Sequence, residues 1–86
     1  MKRVELFYLK QCPFCQRALT YIEEAKQQHP ELREIEIELI EESEEAERAA
    51  QYDYYYVPTF YIDGEKVHEG GIYPDEVVEV LRKALK

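Results

Sequence analysis

The run Val4-Glu5-Leu6-Phe7-Tyr8-Leu9-Lys10-Gln11-Cys12-Pro13-Phe14-Cys15 decides how this chain folds. Its first six residues are short, apolar and aromatic-rich, the mark of a mostly buried strand. Pro13 suits the first position of a helix, because it lacks only an N–H that the first turn leaves unbonded anyway. Cys12 is then the helix N-cap. Downstream, Phe14/Cys15, Ala18/Leu19, Ile22 and Ala25 recur at three-to-four spacing, which predicts a helix running to about Gln28. His29-Pro30 closes it, since the residue before a proline is pushed out of the helical region.

Working outward, Ile35, Ile37 and Leu39 alternate with Glu34, Glu36 and Glu38, predicting a strand with one buried face. Ser43 is suited to cap a short acidic helix through about Tyr52, with Ala46, Ala49 and Ala50 packing inward. Thr59–Ile62 and Lys66–His68 flank Asp63-Gly64 and Glu65, and Asp-Gly between β-prone runs signals a hairpin. Pro74 opens a final helix whose apolar face is Val77/Val78, Leu81 and Ala84/Leu85, with Lys83 and Lys86 near its end. The order β-α-β-α-β-β-α implies an α/β fold with one mixed four-stranded sheet flanked by helices. Residues 1–86 are read as a single domain, since so short a chain has no room for a second core.

The chain is 45% hydrophobic and 35% charged, which sets it apart from disordered and membrane-spanning sequences. Its net charge of −8, from 19 acidic and 11 basic residues, provides no basic stripe to neutralise phosphates, so neither nucleic acid nor an anionic membrane is an expected partner. Met1-Lys2-Arg3 begins like a signal peptide, but the apolar run behind it carries Glu5 and stops at Lys10, too short for an export signal. A cytoplasmic location is expected, where paired thiols are kept reduced. A monomer is expected as well.

By spacing alone, Cys12 and Cys15 fit three descriptions: a redox pair, half of a zinc knuckle, or two inert core thiols. Zinc asks for four ligands, and only the distant His29 and His68 are left to complete a set. Disulfide exchange asks for one thiolate to attack and a second thiol to release the mixed disulfide. A helix start supplies that asymmetry. Its unbonded N–H groups and aligned peptide dipoles favour negative charge on Cys12, with the N–H groups of Phe14 and Cys15 expected to face that sulfur. Cys15, one turn inward, is expected to be buried and to resolve. No Asp or Glu lies between Leu6 and Ile22, and Lys10 and Arg17 flank the motif.

Cys12-Pro13-Phe14-Cys15 after the first strand, Val57-Pro58-Thr59 before the third and Gly70-Gly71 before the last helix together resemble the thioredoxin superfamily, in particular its small glutaredoxin-like or mini-thioredoxin members. The resemblance covers nearly the whole chain. It implies a thioredoxin-like, glutaredoxin-sized fold and a thiol–disulfide oxidoreductase in which Cys12 is the nucleophile and Cys15 the resolving thiol, with a part in electron transport and cell redox homeostasis. It further implies that Pro58 is cis and lies against the cysteines, and that the backbone of Val57 pairs with an extended substrate. Lys10, Pro13, Phe14, Tyr56, Gly70 and Gly71 are the remaining expected substrate contacts. Leu6 stands where thioredoxins carry a buried carboxylate, so proton transfer to and from Cys15 must use another group or water. In Gly70-Gly71-Ile72-Tyr73-Pro74-Asp75 the acid is displaced from the glutaredoxin pattern, and the segment from Val57 onward is more similar to thioredoxin.

The expected substrate is a disulfide in a protein or small molecule, with no bound cofactor. The expected electron donor is glutathione or a flavoprotein of the thioredoxin-reductase type. Two alternatives use the same fold: a non-catalytic module holding a peptide or thiol ligand in the groove, and metal or cluster binding through the cysteine pair.

Overall fold

The computed structural model describes residues 1–85; Lys86, expected near the end of the last helix, lies outside them. Strand β1 is Val4–Tyr8, followed by helix α1, Pro13–Gln28, and a single 3-10 turn at Pro30–Leu32. Strand β2 is Ile37–Glu41, α2 is the one-turn helix Ala46–Ala49, β3 and β4 are Thr59–Ile62 and Glu65–Glu69, and α3 is Pro74–Ala84. The sheet order is β2-β1-β3-β4. β1 runs parallel to β2, with Leu6 beside Leu39 and Phe7 beside Ile40, and antiparallel to β3, with Leu6 beside Phe60. The expected mixed four-stranded sheet is therefore present.

Side-chain alternation in the central strands gives the sheet two cores. Val4 and Leu6 of β1 and Phe60 and Ile62 of β3 face α1 and α3, meeting Ala18, Ile22, Val77 and Leu81. The opposite face carries Phe7, Ile40, Ala49 and Tyr61, with Tyr52, Tyr54 and Val57 packed against them. Phe7 is fully buried there, with ring centroids 4.5 Å from Tyr52, 5.2 Å from Tyr54 and 5.7 Å from Tyr61. Tyrosines do the work of a helix on that face. Glu5, also buried in the sheet, is matched by Arg3, Arg48 and the Tyr52 hydroxyl at 2.8, 2.9 and 3.0 Å, as a buried carboxylate must be.

Two local expectations are corrected. The strand that begins after Ile35 does not bury Ile35, Ile37 and Leu39 alike: Leu39 is exposed, whereas Ile40 is fully buried. β2 is an edge strand, so its outer end leaves the α1 face uncovered while the tyrosine cluster covers the other. Ser43 does not cap a helix reaching Tyr52; α2 is one turn with Glu45 at its N-cap, and the Ser43 hydroxyl donates instead to Glu41 Oε1 at 2.6 Å. Of the three alanines expected inside, only Ala49 is buried. The hairpin turn is as expected, with Asp63 at φ 50° and Gly64 at φ 82°. It is tied to the start of β1 by paired 2.9 Å hydrogen bonds between Arg3 and Asp63. Among the described residues no helix is long and apolar enough to cross a membrane.

Candidate active site

The cysteines sit where β1 hands over to α1. The Cys12 N–H donates to Leu9 O at 3.2 Å, and Cys12 O accepts the Gln16 N–H at 3.0 Å, closing the first helical turn. The Gln16 side-chain amide reaches back to Lys10 O at 3.0 Å, so the helix holds the turn that precedes it. Cys12 is half-buried at the N-cap and Cys15 is fully buried one turn below. Both are free thiols. The expected capping contact is not made: the Cys12 sulfur accepts no helix N–H. Burial pushes the Cys15 thiol up to about 12; a backbone hydrogen bond at Leu9 opposes this, and a hydrogen bond that the Cys15 thiol donates to the Cys12 sulfur, the charge of Cys12 and that of Glu42 add to it. The proton therefore stays on the inner sulfur.

The region around the motif is less free of acid than the sequence implied. Glu41 Oε2 accepts the Lys10 N–H at 2.9 Å, and its Oε1 accepts the Ser43 N–H at 2.7 Å. With the Ser43 hydroxyl and the Lys10 backbone as the leading causes, the Glu41 carboxyl is held down to about 2. Lys10 Nζ, expected to meet substrate, is 2.5 Å from Glu44 Oε2, and its charge is matched within the protein. Glu41, Ser43 and Glu44 share with Lys10 and Cys12 an open cleft of about 520 Å³.

The other flank of the motif is aromatic. Phe14 is exposed, with the Arg17 guanidinium 5.2 Å from its ring centroid, and it lines a second cleft with Tyr21, Gly71 and Tyr73. A Cβ on Gly71 would lie 3.3 Å from the Phe14 ring, and one on Gly70 would lie 3.9 Å from Tyr56 Cβ. The Val57–Pro58 peptide is cis. The β1–β3 register, carried one residue past the Phe7–Thr59 pair, sets Pro58 opposite Tyr8, where the chain leaves the sheet toward Cys12. Pro58 O accepts the Gly70 N–H at 2.8 Å. Thus Phe14, Tyr56, Pro58, Gly70 and Gly71 come together on one side of the motif, and Lys10 stands on the other. His68 lies beside this group, its Nε2 2.9 Å from Gly71 O. His29 is near Arg82 instead, with 3.3 Å between Nδ1 and the guanidinium.

Two carboxylates that sequence reading passed over hold this arrangement: Glu41, described above, and Glu69. Glu69 Oε2 accepts the N–H groups of Tyr55 and Tyr56 at 2.6 and 3.0 Å, and its Oε1 lies 2.7 Å from Lys66 Nζ. In a chain with 19 acids, nothing local marks these two.

A family model described as thioredoxin domain matches residues 2–82 of this chain. A thioredoxin from Methanocaldococcus jannaschii is 31% identical over 83 residues, covering 96% of this chain and 95% of that protein. Two solved thioredoxins share the fold. A mutant thioredoxin from Halobacterium salinarum superposes with a TM-score of 0.71 at 24% identity, over 99% of this chain and 75% of that one. The Fasciola hepatica thioredoxin gives 0.69 at 22% identity, over 96% of this chain and 80% of that one.

Proposed function

This chain belongs to the thioredoxin family, and we propose from that membership that it is a thiol–disulfide oxidoreductase reducing protein disulfides through Cys12 and Cys15. One observation carries the proposal: Cys12 is accessible at the start of α1 while its partner, one turn deeper, is fully buried. Two equivalent thiols would compete; these have separate tasks.

In the first step the Cys12 thiolate attacks one sulfur of the substrate disulfide. A Cys12–substrate bond forms, the substrate S–S bond breaks, and the departing thiolate takes up a proton. In the second step Cys15 attacks Cys12, releasing the second substrate thiolate, and the Cys15 proton passes to it through water. The dithiol loses two electrons and becomes the Cys12–Cys15 disulfide, and the substrate gains them as two thiols. An external donor then restores the dithiol. The donor proposed is a flavoprotein of the thioredoxin-reductase type. Lys10 is already matched by Glu44, and Asp75 lies inside the first turn of α3 after Pro74, so neither supports a glutathione site. A cytoplasmic location accords with this chemistry.

The test is reduction of a disulfide-bonded peptide with the reductant supplied in two arms, thioredoxin reductase with NADPH or glutathione with glutathione reductase. Turnover in the first arm, lost in Cys12→Ser and replaced by a trapped peptide adduct in Cys15→Ser, is expected. Turnover only with glutathione would overturn the donor assignment. A folded, dithiol-containing protein inactive in both arms would overturn the enzyme.

A further inference from the structure

On either side of Val57 the backbone polar groups of Tyr56 and Pro58 are occupied, and the pattern of occupation is selective. Glu69 takes the N–H groups of Tyr55 and Tyr56. The Thr59 hydroxyl donates to Tyr56 O, and the Gly70 N–H donates to Pro58 O at 2.8 Å. Pro58 has no N–H to offer. Among the described residues, the N–H and C=O of Val57 enter no hydrogen bond, although Val57 is half-buried beside the aromatic cluster. Between Tyr55 and Pro58, an extended chain finds one residue with both donor and acceptor open, Val57. A single open pair fixes register, because a slip of one residue meets groups already bonded.

We propose that Glu69 is a positioning residue for substrate: its carboxylate clamps the N–H groups of Tyr55 and Tyr56 so that the paired N–H and C=O of Val57 are presented to an extended peptide beside Cys12. The proposal rests on the oxidoreductase reading above and assigns its groove. Glu69 suits the task because it leaves the end of β4, a strand fixed by pairing with β3, and reaches a loop that belongs to no strand. Lys66 holds its second oxygen, so the carboxylate cannot swing away without losing an ion pair. Tyr55 and Tyr56 themselves remain exposed; the clamp acts on their backbone and leaves their rings free.

The experiment compares wild type, Glu69→Ala and Glu69→Gln as full chains on a disulfide-bonded peptide. KM and kcat are read separately, alongside hydrogen exchange of the Tyr55 and Tyr56 amides by NMR and the rate of Cys12 alkylation by iodoacetamide. Loss of charge-assisted bonds to two amides should raise KM on the order of tenfold in Glu69→Ala, with kcat and alkylation changed by less than about twofold. The two amides should exchange faster in that variant. Glu69→Gln keeps an oxygen that accepts both N–H groups and should recover most of the KM. Glu69→Asp, which keeps the charge but withdraws the carboxylate by one methylene, replaces the alanine variant if that one does not fold. An unchanged KM in a folded variant overturns the proposal, as does glutamine behaving like alanine, or KM, kcat and alkylation failing together. If wild type is inert toward the peptide, every protein in the series is inert and the parent reading is the one that fails. Amide exchange then still decides whether Glu69 holds the loop.

Discussion

Glu41 at the end of β2 accepts the backbone N–H of Lys10 at 2.9 Å, joining an edge strand to the turn that delivers Cys12. The same carboxylate takes the Ser43 N–H and hydroxyl on its other oxygen, so one side chain fixes two loops on either side of the acidic cleft. A carboxylate that accepts several hydrogen bonds is stabilised as the anion, and its contribution to folding depends on pH.

Glu41 and Glu69 are both held down to about 2 from an ordinary 4.5, Glu41 chiefly by Ser43 and Glu69 chiefly by Lys66. A group whose folded value is depressed gives stability that is full above its unfolded value and is lost as pH falls through the folded one. The urea midpoint should therefore decline as pH drops from the ordinary carboxylate range toward about 2. Glu41→Gln should unfold earlier than wild type at neutral pH and converge with it at the acid end. Curves that stay parallel over that range would contradict the assignment.

The glycine pair separates conformation from contact. Gly70 has φ 89°, a region that costs an L-residue about 1–2 kcal/mol, and its N–H is committed to Pro58 O. Gly70→Ala should lose about that much in urea unfolding. Gly71 needs no such φ; an added Cβ meets only the exposed Phe14 ring at 3.3 Å, which can swing aside. Gly71→Ala should stay within about 0.5 kcal/mol of wild type, as surface changes do. Equal losses at the two positions would sink this distinction.

How much of this was legible in the sequence follows from the range of the interactions. Pro13, Asp63-Gly64 and Pro74 act on their own backbone, and the helices and hairpin they signal are where they were expected. Ser43 is equally local in character, yet it faces a carboxylate two residues back that pairing with β1 brings into position, and the cap is lost to Glu41. Leu39 and Ile40 differ in burial because one face of an edge strand is covered by tyrosines more than ten residues away, which periodicity within β2 cannot register. The cysteine pair and the cis Val57–Pro58 were legible through motif. Glu41 and Glu69 were not, since the contacts that tie them to the site, to the N–H groups of Lys10 and of Tyr55 and Tyr56, are distant in sequence.

Phe7 tests the claim that aromatic side chains replace a helix on the second face. Fully buried among Tyr52, Tyr54 and Tyr61, it should cost about 3–5 kcal/mol when cut to alanine. Domains usually hold only about 5–15 kcal/mol in total, so Phe7→Ala should unfold at low urea. The chain has no tryptophan, so the near-ultraviolet circular dichroism of the tyrosines reports the packing directly. A loss under about 1 kcal/mol would mean that the ring cluster is not the second core.

The inner thiol sets the pH dependence of the second chemical step. Cys15 is fully buried and raised to about 12, so near pH 8 only about one molecule in ten thousand carries its thiolate. Iodoacetamide at that pH should place a single adduct on Cys12 in the folded protein and two adducts after denaturation, as read by mass spectrometry. The same proton must leave before Cys15 can release substrate from Cys12. Burial, the leading cause of the shift, persists when Cys12 is bonded to substrate, so resolution of a preformed mixed disulfide should accelerate as pH rises from about 7 to 9, when followed by rapid-quench release of the peptide thiol. Leu6, where the resemblance to thioredoxins implies a buried carboxylate, lies fully buried in the apolar core and has no group to accept the proton, so it cannot relieve this dependence. Leu6→Asp should flatten the pH profile if the introduced carboxylate accepts the proton, at the cost of stability, since it buries a charge without a partner. A resolution rate that is independent of pH in wild type would show that Cys15 loses its proton by another route.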